Sequence, residues 1–487
     1  MTNYEPVIGL EVHAELLTRS KMFCGCPVVD STDAEPNTAV CEICTGMPGT
    51  LPAINRRAVA FALRVALALN CEIQSTSVYA RKNYFYPDLP KGFQISQYEL
   101  PLARDGKLTV RTESGTKDVR IRRVHLEEDT GKLFHRDGYS LVDFNRSGVP
   151  LLEIVSEPDM NSVEEAHAYA TDLRRTLRYL DVNSGDMEKG VIRFEANVSV
   201  RPVGEKELGT RVEIKNLNSF RAMTRSLEHE IERQIELHSS GGTVEQQTLG
   251  WDESEGVTVP QRSKEVAEDY RYFPEPDLPP LVIEESWLQE IRSSLPALPA
   301  QRRQRLIEEY GLTEYTADLL TDERTTADWY ERAAESAQVA DPQQVAHWLT
   351  GELFALLNDA GVGLSEAGLD PGDLADLVDL VESDEINATS GKEVLAHVFE
   401  NGGSPSDVVA ERGLEQESDP DKLRDIVEQV LRENPEQVEE YLQGKETISK
   451  WFFGQVMRAT KGQANPQVVN EVLSEALDSL PSNLESE

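Results

Sequence analysis

Apolar and polar residues alternate with period two in four segments of roughly the first 290 residues: Val7–Glu15, Val119–Glu128, Gly190–Arg201 and Thr210–Lys215. Period two sends successive side chains to opposite faces, so each segment predicts a strand with one buried side. In Val7–Glu15 the apolar set is Ile8, Leu10 and Val12, and the polar set is Glu11, His13 and Glu15. The third segment sets Arg193, Glu195, Asn197, Ser199 and Arg201 against Ile192, Phe194, Ala196, Val198 and Val200, and the fourth aligns Arg211, Glu213 and Lys215. Three helices are expected between them. One covers Arg56–Leu69, Ala-rich and broken by Arg64; one starts at Ser162, with Glu165 completing a capping box, and ends near Leu180; one runs from about Arg221 to His238 and stops at Ser239-Ser240-Gly241-Gly242. After Pro296 nearly the whole chain has a helical pattern rich in Ala, Leu, Glu and Asp. The Pro-rich stretch 274–280 with 296–299 and the Gly/Ser/Pro loop Asn401–Asp407 mark the expected domain boundaries. The expected fold is α+β: a sheet-based domain over 1–295, an all-helical domain over 296–405 and a helical tail domain over 406–487.

Hydrophobic residues make up 39% of the 487, and the 31 glycines bring the apolar share to about 45%, the ordinary level for a packed protein. No apolar run nears the roughly 18 residues of a membrane span, and Met1–Leu10 lacks the pattern of a secretory signal, so a cytoplasmic protein without membrane partners is expected. Charge changes the picture more. There are 87 acidic against 48 basic residues, a net charge of −39, and the acids are spread along the whole chain. Such a surface repels nucleic acid at low salt and argues against a DNA-binding protein. Basic residues are 33 Arg and only 15 Lys. That scarcity of Lys favours adaptation to very high salt, where screening acts within about 3 Å at 1 M and an RNA partner is no longer excluded.

Cys24-x-Cys26 and Cys41-x-x-Cys44, joined by a polar loop of 14 residues, have the spacing of a four-thiolate zinc site. Two disulfides or four free thiols are the alternatives, and an intracellular setting disfavours the disulfides. Four thiolates leave no open coordination position, so the zinc would be structural. Cys71 has no metal partner in sequence and reads as a buried thiol.

If the four strands share a sheet, its polar face gathers carboxylates, a histidine and interleaved Arg and Lys; Glu127-Glu128-Asp129 and Glu153 follow further apolar runs. Hard cations take carboxylate oxygens and Arg or Lys hold phosphates, so this mix suits Mg-nucleotide chemistry; a salt-bridged solvated face is the alternative. No G-x-x-x-x-G-K-[ST] or G-x-G-x-x-G occurs, so ATP, if used, lies on an open sheet face. Arg81–Asp88, Lys91–Gln97 and Asp269–Asp277 interleave basic residues with aromatics, which suits base stacking and equally suits a core aromatic cluster.

Val7–His13, Arg81–Asp88, His125–Asp129, Asn145-Arg146 with Gly148, Glu153–Asp159, Lys215–Ser219, Asp269–Asp277 and Lys461–Pro466 together closely resemble the B subunit of the aspartyl/glutamyl-tRNA amidotransferases, from end to end of the chain. The resemblance implies a heterotrimer that converts mischarged Asp-tRNA(Asn) or Glu-tRNA(Gln) to the amide. An A subunit releases ammonia from glutamine, a small C subunit wraps both, and the B subunit phosphorylates the side-chain carboxylate with ATP. It also implies an antiparallel-sheet cradle for the kinase site and helical domains for the tRNA body. The family's Mg2+ positions fall on Glu11, His13, Glu128 and Glu195, and its essential lysine on Lys82. Lys82, Glu128 and Glu195 are therefore the candidate catalytic residues, and Lys82, Arg193 and Lys215 the candidates to hold ATP. Acyl phosphate formation makes sense of such a site, because a carboxylate must gain a leaving group and two anions must be screened as they meet. In the tail, Lys445, Lys450, Trp451-Phe452-Phe453, Arg458 and Lys461 suit RNA contact or a plain bundle core. A non-catalytic tRNA-binding scaffold and a free-standing metallohydrolase are the competing readings.

Overall fold

The computed structural model describes residues 3–261, 270–460 and 462–480. Asp269 and Lys461, which open two of the quoted motifs, and the last residues of the tail lie outside them. The chain divides into two compact units, Met1–Pro299 and Ala300–Glu487.

The strands of the first unit, in chain order, are β1 (Tyr4–Glu15), β2 (Glu72–Ile73), β3 (Thr76–Ser77), β4 (Ala80–Asn83), β5 (Phe93–Ser96), β6 (Ala103–Thr112), β7 (Gly115–Glu128) and β8 (Lys132–Arg136). They continue with β9 (Tyr139–Asp143), β10 (Pro150–Ser156), β11 (Ile192–Pro202), β12 (Val212–Leu217), β13 (Gln247–Asp252), β14 (Val257–Pro260), β15 (Phe273–Pro274) and β16 (Leu281–Val282). Nine of them form one sheet in the order β14-β13-β12-β11-β1-β10-β7-β6-β2. Its neighbours run antiparallel except for the parallel β12–β13 pair. The four segments picked out by alternation are β1, β7, β11 and β12; β10 lies between β1 and β7. A smaller sheet, β15-β4-β5, brings the Arg81–Asp88 segment against the residues after 269.

One face of the large sheet is apolar. Ile8, Leu10 and Val12 of β1 are sealed from solvent, as are Val124 and Leu126 of β7 and Leu152 and Ile154 of β10. They pack with three helices, α1 (Arg56–Ala68), α2 (Val163–Tyr179) and α3 (Phe220–Ser239), whose inward stripes include Leu63, Leu173 and Leu227. Each fully buried Leu contributes roughly 1.5–3 kcal/mol. The helix starts are capped, the one at Ser162 as its sequence predicts: Asn55, Ser162 and Ser219 accept backbone N–H bonds from the first turn. Glu165 reaches back to the N–H of Asn161, one residue before the cap. Helix α3 ends as expected, with Gly241 at φ +81°. Cys71 is buried, its sulfur lying where Gly106 would otherwise carry a Cβ, so only glycine lets β6 pass.

In the second unit the described residues are helical, from Pro299–Glu308 to Pro466–Asp478. Their apolar residues form two clusters, one around Tyr330, Leu349 and Leu374 and one around Leu423, Phe452 and Val469. Among the described residues no helix is long and apolar enough to cross a membrane.

Candidate active site and metal centre

Paired residues of neighbouring strands share a face, so the register sorts the polar side chains into rows. One row reads Arg193–His13–Glu153–His125 across β11, β1, β10 and β7. The next reads Glu195–Glu11–Val155–Arg123, and Glu15, Leu151 and Glu127 align beyond the first. His13 Nε2 stands 3.7 Å from Glu11 Oε1, 3.6 Å from Glu127 Oε1 and 3.5 Å from Glu153 Oε2. Glu153 Oε2 is also 3.3 Å from His125 Nε2. Two ligand groups result, Glu11/His13/Glu153 and His125/Glu127/Glu153, each with donor atoms mutually within 4.8 Å.

Crowded carboxylates shift one another. Burial, then the charge of Glu153, pushes Glu11 up to about 7, and the same causes raise Glu127. Glu153 goes the other way: burial is outweighed by the two histidines, which hold it well below the ordinary value. Burial also opposes a charged His13, but its bond to Glu153 and the charges of Glu127 and Glu11 hold it up to about 9. Contacts of 3.5–3.7 Å are long for hydrogen bonds. Among the described residues the buried Glu127 Oε2 and His125 Nδ1 have no hydrogen-bond partner. Either donor group fits a divalent cation: its two carboxylates suit Mg2+ or Mn2+, and the imidazole tilts the choice toward Mn2+.

The structure brings Lys82 to the same place from β4. Its Nζ lies 5.0 Å from the ring centre of Tyr270. Burial opposes its charge, but Glu127, Tyr272 and Glu153 raise its pKa above the usual lysine value. Arg193 is 2.8 Å from Asp129 Oδ2 and 3.5 Å from Glu15 Oε1. Lys215 is 2.9 Å from Glu195 Oε2 and 3.5 Å from Glu213 Oε1. Glu195 is thus the cross-strand neighbour of Glu11, with its carboxylate engaged by a lysine.

Glu128, expected to join Glu11 and His13 as a ligand, is not brought to them. Alternation along β7 turns it away from Glu127, and its carboxylate accepts from Lys91 and, at 2.9 Å, from the Ile95 N–H. There it lines a cavity of about 240 Å³ with Lys91, Cys24, Cys44 and Gly148. Glu127 and Glu153 take the place beside His13. Both stood in the sequence patterns without a role; their signal is the register, visible only once β10 is known to separate β1 from β7.

Cys24, Cys26, Cys41 and Cys44 converge with donor atoms within 4.8 Å of one another and form no disulfide. The Cys41 and Cys44 sulfurs are 3.9 Å apart, close to the edge of a tetrahedron with Zn–S bonds of about 2.3 Å. A hydrogen bond from Cys24, acting against burial, lowers Cys44 to about 4, and Lys21 helps; burial lifts Cys26 to about 11. Lys21 is fully buried, its Nζ 3.7 Å from Cys44 Sγ and 3.2 Å from the Phe144 carbonyl. Asn145 accepts from the Ala39 N–H and donates to the Glu35 carbonyl, and Ser147 donates to the Cys44 carbonyl. The Asn145–Gly148 motif therefore ties the cysteine knuckle to the turn that follows Asp129.

Two family models match the chain: one described as the GatB/GatE catalytic domain, over residues 6–289, and one described as the GatB domain, over residues 328–477. A protein of Roseiflexus sp. (strain RS-1) is 54% identical over 480 residues, 98% of either chain. One of Thermoanaerobacter sp. (strain X514) is 50% identical over 97% of this chain and 99% of its own. One of Carboxydothermus hydrogenoformans is 48% identical over 99% of this chain and all of its own. Each of the three is named as the B subunit of an aspartyl/glutamyl-tRNA(Asn/Gln) amidotransferase.

Proposed function

We propose, from the premise that this chain belongs to the family of aspartyl/glutamyl-tRNA(Asn/Gln) amidotransferase B subunits, that it activates the side-chain carboxylate of mischarged Asp-tRNA(Asn), Glu-tRNA(Gln) or both, as the ligase component of a glutamine-dependent complex. The γ-phosphoryl group of ATP passes to a carboxylate oxygen and ADP leaves. Ammonia then attacks the acyl carbon, inorganic phosphate departs with the bonding electrons, and the nitrogen loses a proton to give the amide. The ammonia comes from a glutaminase A subunit, with a small C subunit completing a heterotrimer.

The observation that carries this reading is the convergence of Glu11, His13, Glu127 and Glu153 beside Lys82 on one face of the large sheet. These four residues would hold Mg2+, which would supply positive charge to offset that of the phosphates. Lys82, kept charged by its acidic neighbours, screens the approach of the substrate carboxylate to the phosphates. Arg193 and Lys215, steadied by Asp129 and Glu195, offer N–H donors to ATP from the β11–β12 side. Zinc held by Cys24, Cys26, Cys41 and Cys44 would be structural, and through the Asn145–Gly148 motif the knuckle would steady the turn after Asp129. We assign the chemistry to 1–295, and tRNA-body binding to a helical domain over 296–405 and the tail from 406.

The test is reconstitution with the glutaminase partner in molar KCl and assay of both mischarged tRNAs. ATP-dependent amide on at least one is expected; none on either would overturn the proposal. Lys82→Ala should abolish tRNA-dependent ATP cleavage while tRNA still binds, which a mere scaffold would not show.

A further inference from the structure

Tyr84 of the Arg81–Asp88 segment, Tyr98, and Tyr270 and Tyr272 of the post-269 segment meet at the border of the carboxylate cluster. The Asn83 N–H donates to the Tyr270 carbonyl at 2.9 Å, and β15 pairs with β4. The rings of Tyr98 and Tyr272 stack with centres 4.1 Å apart and planes 6° from parallel. Tyr270 meets Tyr272 edge-on at 6.0 Å. The Arg123 guanidinium carbon lies 6.0 Å from the centre of Tyr98, and Nη2 of the same group is 3.3 Å from Glu153 Oε1. An ion pair, a cation–π contact and a ring stack thus run from the cluster to the surface. Although stacked, Tyr98 keeps 48% of its surface exposed.

We infer that the Tyr98–Tyr272 stack is a platform for a base at the unpaired 3′ end of the aminoacyl-tRNA, and that it sets the amino acid at the carboxylate cluster. The inference rests on the function proposed above. Unpaired RNA is recognised by stacking its bases on aromatic rings. The amino acid is esterified to the terminal ribose, so the base beside it must dock about one nucleotide from the reacting carboxylate. Tyr98 is one side chain, Arg123, from Glu153. In-line transfer puts the phosphoryl donor and acceptor on opposite sides of the moving group. Arg193 and Lys215 stand on the β11–β12 side of β1 and the tyrosines on the β7 side, which leaves the tyrosine side to the RNA. A chain with a charge of −39 gains little from phosphate contacts at high salt, whereas stacking survives there.

The experiment uses the complex with its glutaminase partner and a mischarged tRNA carrying 2-aminopurine as its terminal base. The wild type should quench the fluorophore on binding. Tyr98→Ala should lose the quench and raise the KM for tRNA about ten-fold with the KM for ATP unchanged, and Tyr98→Phe, which keeps the ring, should restore both. No quench by the wild type, or a Tyr98→Ala variant that quenches and turns over like the wild type, would overturn the inference. So would a rise in the KM for ATP alone, which would give the stack to the adenine of ATP. A wild-type complex that forms no amide at all would instead remove the functional reading beneath it.

Discussion

His13 shows what one residue can and cannot reveal in advance. Alternation along β1 put it with Glu11 on the polar face, and the structure keeps the two together at 3.7 Å. Its other partners were harder to read. Glu153 ends the apolar run Leu151-Leu152 and precedes Ile154-Val155, so period two is masked there. Glu127 and Glu128 are adjacent, and only the paired registers of β7, β10 and β1 decide which one faces His13. Two predictions belong at this scale. Glu153→Gln should weaken divalent-cation binding at least ten-fold, whereas Glu128→Gln should leave it unchanged in a Mn2+ titration. Affinity should also climb with pH, since a bound cation must displace the protons that Glu11, raised to about 7, and His13, raised to about 9, retain at neutral pH. Calorimetric titrations at about pH 6 and about pH 9 check this; equal affinities would mean that neither group is a ligand.

Among the elements, the cysteine knuckle was the most legible, because paired cysteines across a polar loop declare themselves by spacing. Its link to the site was not. The buried bonds from Lys21, Asn145 and Ser147 join segments about a hundred residues apart, and no local pattern encodes them. One zinc per chain is expected by colorimetric release. Its removal should lower the thermal midpoint and slow amide formation, although no cysteine is near His13 in register; retention of full activity after zinc loss would break that link. The helical unit has its own buried node: Glu331 accepts from Arg302 at 2.8 Å and from Arg305. Burial would raise Glu331, but the two guanidiniums pull it below its ordinary value. A lowered carboxylate contributes stability above its unfolded pKa and loses it as pH falls through the folded one, so the unit should weaken as the pH is lowered into and below the ordinary carboxylate range. Glu331→Ala removes the carboxylate that Arg302 and Arg305 share, though Asp328 still pairs with Arg302, and should cost about 2 kcal/mol in urea unfolding at neutral pH.

For the molecule as a whole, alternating strands before Pro296 and a helical texture after it anticipated a sheet unit followed by helices, and the compact units divide at Pro299. The strand order could not be anticipated, because β1 is paired by β10 and β11, strands some 140 residues or more away in sequence. The net charge of −39 predicts a thermal midpoint that rises when KCl is increased from about 0.1 M to 2 M; a flat or falling midpoint would exclude adaptation to high salt. Everything proposed about chemistry depends on this sheet gathering Glu11, His13, Glu127 and Glu153 around one cation. Electron paramagnetic resonance of the full chain titrated with Mn2+ measures that directly. One tightly bound Mn2+ per chain, lost in Glu153→Gln and untouched in Cys24→Ser, is the result predicted; a wild type that binds none, or a Glu153→Gln variant that binds as well as the wild type, is the result that contradicts it.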